Sequence, residues 1–149
     1  MSNADETGAG ETAAGITAGA LIGVARWHAV MEGGSSPRAL GAMIAEDAVF
    51  HSPVVHTPQH GRALVTAYLA AAGQTLGNAT FRYVRELVDG EHALLEFETE
   101  MDGIHVNGID LIRFDEAGNI LDFKVMVRPL KAVNKVWEAM AAQLDRAGR

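Results

Sequence analysis

The sequence predicts an α+β fold, a cone-shaped curved antiparallel sheet with helices packed on its concave face. Three observations carry that expectation. Apolar residues recur at helical spacing through the first half of the chain, and alternation of period two takes over from Phe81. Compact turn signals, Asp89-Gly90, Asp102-Gly103 and "DEAGN", separate the alternating runs closely enough for antiparallel neighbours. One more helical pattern closes the chain.

From Ala18 to about Glu32, Leu21, Val24, Trp27 or His28, and Met31 recur at helical spacing until Gly33-Gly34 stops the run. A short second helix begins at "SSP", with Ser36 as N-cap and Pro37 as first helical residue; Leu40, Met43 and Ile44 form its apolar side. "AVFHSP" reads as a short strand ended by Pro53, and "VVHTPQHGR" as a loop. Between Arg62 and about Leu76, the residues Leu64, Val65, Tyr68, Leu69, Ala72 and Leu76 predict a third helix, broken by Gly73 near its end. Four strands follow: Phe81–Val88, His92–Met101, His105–Phe114 and Ile120–Val127. Pro129 opens a last helix with Leu130, Val133, Trp137, Met140 and Leu144 at core spacing.

A length of 149 residues suits one domain, expected over residues 18–149, preceded by a small, polar, flexible tail over residues 1–17 that has too little apolar surface to offset the entropy of ordering. The net charge of -7, with 12 scattered Lys and Arg, argues against a nucleic-acid partner. Apolar runs end well short of 18 residues, so no membrane span is expected. The absence of cysteine excludes disulfides and thiol chemistry. "MSNADETGAGETAAG" has no basic region before an apolar one, so it is not read as a secretory signal, and a cytoplasmic location is expected. No phosphate loop, dinucleotide fingerprint or nucleophile elbow is present, and no cofactor is expected.

One residue breaks the pattern. In "GIDLIRFDEAGNI" strand alternation places Asp110 on the same face as Ile112 and Phe114, where a carboxylate would be desolvated and its neutral, hydrogen-bond-donating form favoured.

Together with "AEDAVFHSP", and "HGR" at the start of the third helix, this stretch resembles the nuclear transport factor 2-like superfamily, and within it the ketosteroid isomerase and SnoaL-like polyketide cyclase branch, over roughly Leu21 to Arg128. The resemblance implies a cystatin-like α+β barrel with a hydrophobic pocket. It also implies that Asp110 is an acid, staying protonated among apolar neighbours and donating to a developing oxyanion. The branch's general-base Asp corresponds here to Ser52, and its oxyanion-hole Tyr to Trp27. A carbon-to-carbon proton transfer needs a base, and Ser52 cannot serve alone.

Histidines near the cone's mouth are the candidate substitutes, because imidazole titrates in the working range. His51 and His60 are named as candidate catalytic residues beside Asp110, although strand parity turns His51 away from the pocket. His51, His56 and His60 are spaced too irregularly around Pro58 for a metal site, and none is expected. His28, His92 and His105 read as surface or interface residues. Trp27, Ser52, Tyr68, Phe97, Ile112, Phe114, Phe123 and Val125 are expected to line a mostly apolar space suited to an apolar small molecule.

Glu96, Glu98, Lys124 and Arg128 fall on the opposite, outer face with Leu94 and Met126, and relatives in the superfamily commonly pair through that face, so a homodimer is expected. Two functions stay open. One is an isomerase, cyclase or hydratase acting on an apolar carbonyl compound with Asp110 as acid. The other is a non-catalytic ligand-binding or dimerisation module that has lost the base.

Overall fold

The structure is a computed structural model that describes residues 15–146. Residues 1–14, most of the expected tail, lie outside the described residues. The chain is already tied down at Ile16, which bridges Gly90, and the Thr17 N–H donates to the Gly90 carbonyl at 3.0 Å.

Helix α1 (Ala18–Glu32) starts at Thr17, whose hydroxyl accepts from the Ala20 N–H at 3.0 Å, and stops at Gly33. It presses unusually close to the sheet: a Cβ on Gly23 would lie 2.2 Å from the Phe114 ring, so this position tolerates only glycine. Ala20, Val24 and Trp27 are its buried side, whereas Leu21, predicted to face inward, is exposed. Helix α2 (Pro37–Gly41) is capped by Ser36 as expected. It ends sooner than its apolar spacing suggested, because Ile44 opens strand β1 (Ile44–His51) and pairs with Ile120. The loop after β1 contains a two-residue strand, β2 (Gln59–His60), antiparallel to Val49 and Phe50.

Helix α3 (Arg62–Leu76) passes through Gly73 without a break; that glycine allows Ser35 to approach, since a Cβ there would sit 2.8 Å from the Ser35 Cβ. Strands β3 (Arg82–Asp89), β4 (His92–Met101), β5 (Ile104–Phe114) and β6 (Ile120–Arg128) form an antiparallel meander. The Asp102-Gly103 turn places both residues at positive φ, 50° and 79°, the primed-turn geometry that Asp-Gly favours. Helix α4 (Leu130–Arg146) completes the chain.

The six strands are ordered β2-β1-β6-β5-β4-β3, with β1 and β6 parallel and every other pair antiparallel. The sheet is curved and not closed, and the helices cover its concave face. Leu95, Phe97, Ile112, Phe114, Phe123 and Val125 project from that face into one core with Ala20, Trp27, Val65 and Leu69. On α4 the buried side is Ala132, Val136 and Leu144; Leu144 was expected there, but earlier in the helix Ala132 and Val136 take the inward positions, which leaves Trp137 57% and Leu130 75% exposed. No helix among the described residues is long and apolar enough to cross a membrane.

Candidate active site

Asp110 lies in the middle of β5, with Ile112 and Phe114 beyond it on the same inward face, and is 6% exposed. It is paired with Leu95 on β4 and Val125 on β6, so apolar residues flank it on both sides. Burial pushes its carboxyl up from 3.8 to about 7, against the opposing pull of one hydrogen bond.

That bond comes from Tyr83. Its hydroxyl donates to Asp110 Oδ2 at 2.6 Å and accepts from the Trp27 indole Nε1 at 2.8 Å. The direction is fixed because an indole N–H can only donate, which turns the phenolic proton toward the carboxyl. Burial first, then the neighbouring Asp110 carboxylate, raises the Tyr83 phenol well above its usual 10, so it works as a donor and not as a phenolate. Among the described residues Asp110 Oδ1 has no hydrogen-bond partner, and it is the oxygen left for a ligand.

Sequence reasoning passed over Tyr83 for a physical reason. Counting back from the Asp89–His92 pair at the turn, unbroken pairing would put Tyr83 opposite Glu98 on the outer face. A bulge between Tyr83 and Arg85 shifts the register, so Tyr83 pairs with Phe97 and points inward. Bulges re-aim side chains in this way. A β3 that carries Phe81 and Tyr83 on one parity and Val88 on the other was the available signal.

Two spaces meet around the acid. The smaller, about 30 Å³, has Asp110 at its wall with Trp27, Met31, Leu69, Phe97 and Phe123. That is room for a single ligand oxygen or a water-sized group. The larger, about 230 Å³, lies under α4 and is walled by Phe50, Ser52, Tyr68, Val136, Trp137 and Met140, among others. Ala72, Leu76 and Val125 line both, so the large apolar space leads to the small one.

The expected lining residues therefore divide. Ser52, Tyr68 and Val125 reach the large space, and Trp27, Phe97, Phe123 and Val125 surround the small one. Ile112 and Phe114 are buried beside neither, packing deeper in the core. Gly108 explains how Phe97 fits: a Cβ there would lie 2.4 Å from the Phe97 Cζ.

The candidate bases do not converge on Asp110. His51 Nε2 lies 2.9 Å from Asp122 Oδ1, and neither His51 nor the exposed His60 lines these spaces. The Ser52 hydroxyl accepts from the N–H groups of Val54 and Val55 at 3.1 and 3.3 Å, which makes it a turn-former at the mouth. Among the described residues no three His, Asp or Glu side chains group as a metal site.

Fold and site together define a small-molecule pocket protein built on an α+β cone. The chain belongs to the SnoaL-like domain family, whose model matches residues 24–123. It is similar to the structure of a steroid delta-isomerase from Pseudomonas aeruginosa, at 34% identity over 89% of this chain and 96% of that one, with a TM-score of 0.82. It is also similar to an uncharacterised bacterial protein with a cystatin-like fold from Silicibacter pomeroyi, at 34% identity, covering 80% and 83% of the two chains, with a TM-score of 0.74. A protein of ketosteroid isomerase-like fold from Catenulispora acidiphila, solved with trimethylamine, shares the fold at 21% identity, covering 74% and 87%, with a TM-score of 0.56. No curated protein matches the chain in sequence.

Proposed function

We propose that the protein is an enzyme of the isomerase, cyclase or hydratase type that binds a compact, apolar carbonyl compound. The carbonyl oxygen enters the small cavity and meets Asp110, while the apolar body lies under α4. The observation that carries this is a buried acid, its carboxyl pushed up to about 7, with one oxygen held by Tyr83 and the other unpartnered among the described residues at a cavity wall. A carboxyl that is protonated below about pH 7 can donate to a carbonyl whose oxygen gains charge in the transition state, in a setting where low polarity strengthens the bond. Likeness to the Pseudomonas steroid delta-isomerase supports this chemistry class. A volume near 230 Å³, below the roughly 300–1,000 Å³ common for ligand pockets, favours a compact substrate.

The non-catalytic alternative is favoured by one observation: Ser52 stands where a base is needed, and its hydroxyl is occupied by backbone N–H groups.

The outer face supports the expected homodimer. Leu87, Leu94 and Leu111 lie in register across β3, β4 and β5, and Met126 stands beside Ile109 in a neighbouring row. Two of the three Glu side chains of that face are engaged within the chain, Glu98 by Arg82 at 3.0 Å and Glu96 by Arg85 at 3.4 Å, with Glu100 nearer the strand end, and the leucine row offers an apolar strip to a second copy.

The test of the pocket uses 2-naphthol, a planar enol analogue with its own fluorescence. The wild-type protein is expected to bind it with an emission shift, and Asp110→Leu to bind at least about tenfold more weakly, the loss of one buried hydrogen bond. Equal affinity in the two proteins, or no binding to the wild type, overturns the proposal.

A further inference from the structure

A third space opens on the other side of Asp110. It measures about 380 Å³ and is walled by His28, Glu32, Ser35, Asn78, Arg82 and Tyr83, so it is far more polar than the space under α4. Met31, Gly73, Gly77 and Phe81 separate it from the small cavity and line both. The three spaces thus follow one another beneath the C-terminal end of α3: Ala72 and Leu76 roof the apolar side, Gly73 and the following Gly77 the polar side, with Asp110 between.

His28 is the one imidazole lining any of these three spaces. It stands on α1 directly after Trp27, the residue that holds Tyr83, and its ring meets the Tyr83 ring edge-on with centroids 5.6 Å apart. Its Nε2 is paired with Glu86 Oε1 at 2.5 Å. Glu86 keeps the register set by the Asp89–His92 turn and stands opposite Leu95, on the inner parity of β3. A carboxylate on Nε2 fixes the tautomer and leaves Nδ1 as the nitrogen with a free lone pair, the arrangement of an oriented general base.

We propose that His28, oriented by Glu86, is the base of this site, taking a proton from the carbon next to the carbonyl on the polar side while the carbonyl oxygen meets Asp110. The substrate class is a compact carbonyl compound with an apolar body and an enolisable carbon next to the carbonyl. This rests on the pocket function proposed above. In the step itself, the bond between hydrogen and the carbon next to the carbonyl breaks and the proton passes to His28 Nδ1. The released electron pair forms the C=C of the enol, and the carbonyl π pair moves to oxygen, which takes the proton of Asp110. Return of the His28 proton to a carbon of the enol system, and of the enol proton to Asp110, restores both groups with no further reactant. Among the described residues the Glu86 carboxylate is hydrogen-bonded to His28 alone, so it is a positioning residue.

The experiment follows exchange of the α-protons of 2-tetralone in D2O by proton NMR, alongside 2-naphthol binding. Wild-type protein is expected to accelerate exchange over buffer. His28→Ala is expected to lower the protein-catalysed rate by about 10²-fold or more, the usual contribution of a general base, at an unchanged naphthol Kd. Glu86→Gln is expected to lower it by a smaller factor, again at unchanged Kd, and Glu86→Asp to restore part of the loss. If His28→Ala melts early, His28→Gln, which keeps a polar side chain of similar reach, is measured in its place. Naphthol binding that depends on Asp110, together with exchange that is absent in the wild type or unaffected by both His28 variants, overturns this proposal alone. Absence of naphthol binding overturns the pocket function itself.

Discussion

The Tyr83 hydroxyl lies 2.6 Å from Asp110 Oδ2, although the two residues belong to β3 and β5, with β4 between them. The contact spans the concave face because the bulge in β3 turns Tyr83 inward and the absence of a side chain at Gly108 lets Phe97 clear the way between the strands. The pair is held from a third direction by Trp27 on α1, so helix and sheet are joined by a single polar chain inside an apolar core.

Tyr83→Phe keeps the ring and removes that chain's middle atom. It leaves the Trp27 N–H and Asp110 Oδ2 without partners, which should cost about 1–3 kcal/mol of stability in urea unfolding. The Tyr83 bond lowers the Asp110 pKa, so its loss should move the carboxyl above about 7. Carbon-13 titration of the Asp110 carboxyl reads this directly; a midpoint at or below the wild-type value would show that the bond does not act on the acid.

Stability should fall as pH rises through neutrality. Asp110 has a folded-state pKa of about 7, above the 3.8 of the unfolded chain, so the folded protein binds the extra proton between those values. The contribution is complete below about pH 3.8 and is lost progressively up to about 7. Three units at roughly 1.4 kcal/mol each make it on the order of 4 kcal/mol. Asp110→Asn cannot ionise, so it should flatten this part of the profile. Unfolding free energies at pH 5 and pH 8 for both proteins check it, and parallel profiles would remove the buried-acid assignment.

The fold was legible because it rests on repeated, local signals: Ser36-Pro37 at a helix start, Asp-Gly turns, and period-two alternation from His92 to Phe114. Asp110 was legible as an exception to that alternation. Its partner Tyr83 was not, because it owes its inward position to one extra residue in β3, marked in the sequence only by Phe81 and Tyr83 sharing a parity that Val88 does not. His28 was read as a surface or interface residue, and its side chain is 36% exposed; that it also borders the polar space beside Tyr83 depends on how closely α1 crosses the sheet, a distance set by Gly19 and Gly23. On α4 Leu144 was legible, but the first two turns were not, for a similar reason: several overlapping sets of apolar residues satisfy helical spacing, and only packing against α3 and the sheet selects Ala132 and Val136 over Leu130 and Trp137.

Gly108→Ala should be costly where most glycine replacements in a sheet are mild. Its Cβ would lie 2.4 Å from Phe97 Cζ and 2.7 Å from the Met126 carbonyl oxygen; the ring can swing aside, but the backbone oxygen cannot. Overpacking of this kind costs about 1–3 kcal/mol. Gly41→Ala is the control, since its Cβ would meet only Thr66 at 3.7 Å and more, and should stay within about 0.5 kcal/mol. Equal denaturation midpoints for the two variants would show that the approach of Phe97 to β5 is looser than the geometry requires.

The outer face gives the last prediction. Leu94 stands at the centre of the leucine row, with Leu87 and Leu111 as its cross-strand neighbours, and it points away from Asp110 because Leu95 takes the inward position. Leu94→Glu therefore places a charge on the proposed two-fold interface without touching the site. In a two-fold dimer the change appears twice, so two carboxylates are desolvated and repel one another, and dissociation should become easier by about 100-fold or more. Sedimentation of the wild type should give a dimer at micromolar concentration and of the variant a monomer, with unchanged circular dichroism and unchanged naphthol binding. A wild-type protein that sediments as a monomer would reassign the leucine row to some other partner. A variant that stays dimeric would move the interface off this face.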